Sequence, residues 1–133
     1  MSFRPSTTLN AGYKNILDSL TTAVLVLGDD LTIRYLNPAA ENLFETSLMR
    51  TQGTPLHDVL IDSGNALRTL HAAAKNGQSY TRREAEFALL TGSRLMVDYS
   101  VSPLSIDPIE LLIELQPIDR QLRISREEDI ISQ

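Results

Sequence analysis

Cysteine is absent from all 133 residues. That absence removes disulfides, thiolate metal sites, cysteine nucleophiles and flavin chemistry that runs through a thiol adduct, and it fits a reducing compartment. Basic charge is sparse. The chain has 12 Lys+Arg against 17 Asp+Glu, a net charge of −5, and no run of three basic residues. No basic stripe is therefore available to neutralise phosphates, which excludes nucleic acid as a partner. Long apolar runs are missing too. Ala23 to Leu27 is the longest near the front, far short of the roughly 20 residues that span a bilayer. The opening MSFRPSTT has no apolar region of the kind a signal peptide needs. These absences predict a soluble, cytoplasmic protein with no membrane segment. What remains is ordinary globular composition, 42% hydrophobic and 22% charged with no low-complexity tract. The length suits one domain of about 100–150 residues with a single core.

Periodicity supplies the elements. Leu9, Tyr13, Ile16, Leu17 and Leu20 are spaced as a helical stripe. The β-branched run 23–27, the turn Gly28-Asp29-Asp30, and Leu31, Ile33 and Tyr35 alternating with polar residues predict two antiparallel strands. In YLNPAAENLF, Asn37 has the side-chain oxygen of a helix N-cap and Pro38 suits the first helical position, so a strand ends and a helix begins there. Loss of that cap in Asn37→Ala is expected to cost about 1 kcal/mol. A further helix is expected from about Ser63, with Leu67, Leu70, His71 and Ala74 on one side and Asn76-Gly77 as its stop. Alternation around Phe87, around Val97 and from Ile109 to Leu115 then gives three strands, the first two a hairpin turned by Thr91-Gly92-Ser93. The polar exit QLRISREEDIISQ reads as a linker helix.

The element order predicts an α+β fold: a five-stranded antiparallel sheet whose last strand pairs beside its first, with helices on one face and an N-terminal flanking helix. The stretch AVLVLGDDLTIRYLNPAAENLF resembles the opening of a PAS domain, and the element order extends the resemblance over roughly residues 14–117. The division expected is a flanking helix at 1–20, a PAS domain at 21–117 and a linker helix at 118–133 leading toward a kinase region. More narrowly, the N-terminal helix, YLNPAAENLFE and the exit REED resemble the sensory segment of nitrogen-regulation sensor histidine kinases. This resemblance implies a regulatory module that is not itself an enzyme and carries no cofactor. It also implies a longer protein that autophosphorylates a histidine after Gln133, passes the phosphoryl group to a response regulator, and answers to a PII-type signalling protein. A homodimer is expected through Leu9, Tyr13, Ile16, Leu17 and Leu20, because that stripe is wide for so short a helix and the sheet already has helices for one face.

Other readings meet specific obstacles. His57-Asp58 resembles the paired ligands of HD-type phosphohydrolases, but those require further histidines and the chain has two in all. His57, Asp58 and Ser63 crowd together without the Gly-x-Ser-x-Gly elbow of a hydrolase, and Asp62-Ser63 suits a turn and helix cap. Asp29-Asp30 alone falls short of the six to eight oxygens that calcium takes. A small-molecule or haem sensor is the alternative within the family. Haem-binding PAS domains ligate iron through a histidine on the corresponding long helix, where this chain has His71, and one imidazole suffices for haem. A ligand pocket would draw on His57, His71, Arg83 and Tyr99 as its polar groups.

Overall fold

The computed structural model describes residues 11–61, 65–104 and 108–118, with side chains from residue 15 onward. Leu9, the side chain of Tyr13, the Asp62-Ser63 cap and the linker helix beyond Ile118 lie outside the described residues.

The order is α1 (Ala11–Ser19), β1 (Ala23–Gly28), β2 (Ile33–Leu36), α2 (Pro38–Phe44), α3 (Leu48–Thr51), a 3-10 turn (Leu56–Asp58), β3 (Leu60–Ile61), α4 (Ala66–Asn76), β4 (Tyr80–Leu89), β5 (Arg94–Pro103) and β6 (Glu110–Pro117). The strands form one sheet in the order β2-β1-β6-β5-β4-β3, every neighbouring pair antiparallel. As expected, the last strand closes beside the first, with Leu25 opposite Ile113 and Leu27 opposite Leu111. The sheet has six strands rather than five. Residues Leu60 and Ile61 pair with Leu89 and Ala88, and a two-residue strand is too short to show an alternating pattern.

All six residues of β1 are buried because it is flanked by β2 and β6 and covered on both faces. Ala23, Leu25 and Leu27 join the main core with Ala40 and Phe44 of α2 and Leu70 of α4. Val24 and Val26 alternate to the other face, as strand geometry requires, and are buried there. The register shifts between Val26 and Leu27, so Tyr35 pairs with Val26 and Leu36 with Leu25. Leu36 therefore reaches the main core in the place alternation gave to Tyr35. Helix α4 buries Ala66, Leu70, Ala73 and Ala74 and ends at Gly77, whose φ of 65° is a left-handed cap that glycine adopts without penalty.

Glu110, which alternates with apolar residues along β6, is only 1% exposed. It pairs across from Gly28, and the Arg34 guanidinium lies so close to that glycine that a Cβ there would stand 2.8 Å from Nε. Gly28 thus makes room for a cation over this corner of the sheet.

The C-terminus of α2 is fastened to the β4–β5 turn. Glu45 caps the helix at φ 58°, and its carboxylate accepts hydrogen bonds from the Thr91 hydroxyl and from Ser93 Oγ at 3.0 and 2.9 Å. The Thr91 bond, then the Ser93 bond, hold the carboxyl below its ordinary value of 4.5. A carboxyl that is more acidic when folded contributes stability above its unfolded value and loses it as pH falls through the folded one. Glu45→Gln should therefore be less stable than the parent at neutral pH, and the difference should close as pH falls below 4.5. Thermal melts of both proteins from pH 7 to pH 3 check this, and a gap that does not change with pH would refute the clasp.

Candidate functional site

Between the helices and the sheet lies a wholly apolar cavity of about 20 Å³. Leu25, Phe44, Leu60, Leu70, Phe87 and Tyr99 are among its walls. This volume accommodates about one water molecule. The Tyr99 ring packs at 6.0 Å from Phe87 and edge-on at 6.1 Å from Tyr80. Burial, reinforced by the Tyr99 hydroxyl beside it, pushes the Tyr80 phenol above its ordinary 10. The Tyr80 side chain is therefore neutral throughout the physiological range.

The second feature is the joint between α1 and the rest of the fold. Asn37 is fully buried and its amide is saturated. Oδ1 accepts from the backbone N–H groups of Ala40 and Val24 at 2.9 Å each. Nδ2 donates to the carbonyls of Leu17 and Thr22, also at 2.9 Å. The bond from Ala40 is the helix cap that the sequence predicts; the other three depend on segments far away in the chain. They raise the expected cost of Asn37→Ala above the about 1 kcal/mol of a lost cap, since each buried polar group left without a partner costs about 1–3 kcal/mol. A denaturant midpoint lowered by no more than a cap's worth, at unchanged slope, would show that the three additional bonds contribute nothing. Beyond this joint, Ile16 of α1 is 59% exposed with Leu17 half-buried, and Leu20, just after the helix, is 40% exposed. Two large aliphatic residues thus stand in solvent at the C-terminal end of α1.

A model of the PAS fold matches residues 17–121. The chain belongs to the PAS family. It is 38% identical over 113 residues to the sensory histidine kinase/phosphatase NtrB of Vibrio alginolyticus and 31% identical to that of Escherichia coli O157:H7, matching 84% and 85% of this chain. In both cases the match covers 32% of the relative, so the chain spans about a third of the length of these kinases. Among solved structures, it superposes on the PAS domain of nitrogen regulation protein NR(II) from Vibrio parahaemolyticus with a TM-score of 0.67 and 34% identity, covering 83% of this chain and 100% of that one. This is a sensory PAS domain homologous to that of NtrB.

Within this PAS domain the four polar candidates for a pocket do not converge. His57 and Asp58 sit on the 3-10 turn, their side chains 66% and 56% exposed and 3.5 Å apart. His71 is on the exposed side of α4, outside the cavity, because the buried face of that helix runs through Leu70, Ala73 and Ala74. Its expected place beside Leu70 and Ala74 is thus corrected by the rotation of one residue, about 100° on a helix. Arg83 is exposed at an irregularity of β4, where Glu84 has φ 57° and its N–H donates to Asp98. Tyr99 alone reaches the interior. No group of three or more His, Cys, Asp or Glu side chains among the described residues could hold a metal ion. Nor is any helix among them long and apolar enough to cross a membrane. The clasp at Glu45 and the donors of Asn37 are not legible in the sequence, and only the Asn37 cap motif points toward the second.

Proposed function

We propose that this PAS domain is the regulatory module of a two-component nitrogen-regulation histidine kinase, that it holds two copies in register through α1, and that it transmits conformational change toward a kinase region. The observation that carries the reading is the match to the PAS domain of NR(II), which this chain covers from end to end at 34% identity. In this reading residues 1–20 flank the domain, residues 21–117 form it, and residues 118–133 lead on to the catalytic part. The longer protein is a cytoplasmic kinase and phosphatase whose partners are a response regulator and a PII-type signalling protein. The interface is Leu9, Tyr13, Ile16, Leu17 and Leu20, and the exposure of Ile16 and Leu20 supports it.

The alternative, a sensor with a ligand in its core, is opposed by a cavity with room for about one water molecule. The experiment is a phosphotransfer assay on the longer protein with and without the PAS domain. A shift in the balance between response-regulator phosphorylation and dephosphorylation on removal is the expected result; the same balance in both forms would contradict a regulatory role.

A further inference from the structure

We infer that Asn37 is the joint that registers α1 to the sheet, so that any shift at the β2–α2 junction moves the helix. One side chain serves two helices at once. Its oxygen caps the start of α2 through Ala40, while its nitrogen holds the carbonyl of Leu17 in the last turns of α1 and that of Thr22 just beyond it. The last four carbonyls of any helix lack partners within it, and Leu17 is among them for a helix that ends at Ser19. The same oxygen also takes the Val24 N–H at the start of β1, and the Asn37 backbone N–H donates back to the Val24 carbonyl at 3.1 Å. Helix, strand and second helix therefore meet at one amide whose two donors and two acceptors are all engaged.

The amide orientation is fixed by the same contacts. Turning it over would set its NH₂ against two N–H groups and its oxygen against two carbonyls. One of these bonds lands on α1 itself. A nine-residue helix is marginal by itself and depends on tertiary contacts; among its described side chains Ile16 is exposed and Leu17 half-buried. The last turn of the helix is accordingly tied by a hydrogen bond to a residue 20 positions away.

The inference deepens the regulatory reading, but its test is independent of dimerisation because it reads α1 itself. Asn37→Asp keeps the acceptor for Ala40 and Val24 and is an equally good N-cap, while it turns a carboxyl oxygen toward the Leu17 and Thr22 carbonyls. Asn37→Ser retains a capping hydroxyl and is too short to reach both carbonyls. Hydrogen exchange on the two variants should show amides of α1 exchanging about tenfold faster or more than in the parent, with β4, β5 and β6 unchanged, as local opening without global unfolding requires. Parental exchange in α1 for both variants would make Asn37 a cap and nothing more. Faster exchange throughout the domain, or loss of folding in both, would make it a general structural residue and equally overturn the joint. Loss of the wild-type dimer would refute the interface and leave this result standing.

Discussion

Phe87→Ala is expected to lower the stability of the domain by about 3–5 kcal/mol. Phe87 is 7% exposed, lines the interior cavity, and packs its ring against Tyr99 at 6.0 Å. Truncation removes transfer energy, enlarges a void that already exists, and breaks an aromatic pair worth about 0.5–1.5 kcal/mol by itself. Against a typical total of about 5–15 kcal/mol, that is a large share. Urea denaturation should show a much lower midpoint at unchanged slope. A loss below about 1 kcal/mol would mean that the neighbouring leucines close the gap, and that the core is softer than its close-packed rings imply.

Ile16→Glu is expected to give a folded monomer. In a single chain Ile16 is 59% exposed, so a carboxylate there meets water and leaves the domain intact. In a twofold dimer each contact occurs twice, and each copy would bury a charge with no partner, which is far more costly than burying a neutral polar group. Far-UV circular dichroism should be unchanged while the sedimenting mass halves. Collapse of the circular dichroism would place Ile16 in the core of its own chain. An unchanged dimer would place the interface elsewhere.

Much of this architecture is legible in the sequence because its strands are long or its turns explicit. The apolar run of β1, the Asn37-Pro38 junction and the β4–β5 hairpin each obey a local rule, and pairing of the last strand with the first follows from the need to close the sheet. The features that escape are those for which no local rule exists. Strand β3 has only two residues, so its place is set by the strand it joins. Glu110 alternates with apolar residues like any exposed glutamate, yet it is buried where β6 pairs with Gly28 at the end of β1. His71 was placed one residue off around α4, because three alanines in HAAA leave the buried face ambiguous. The acceptor role of Asn37 is local and could be read; its donors reach Leu17 and Thr22, which folding alone brings near. The Glu45 clasp spans 46 residues to Thr91 and has no sequence signature.

The account turns on α1 as the surface through which two copies of this PAS domain meet. Sedimentation equilibrium of the wild-type domain at tens of micromolar tests it most directly. The account predicts the mass of a dimer that dissociates on dilution and is abolished by Ile16→Glu; a wild-type domain that sediments as a monomer at that concentration would contradict it.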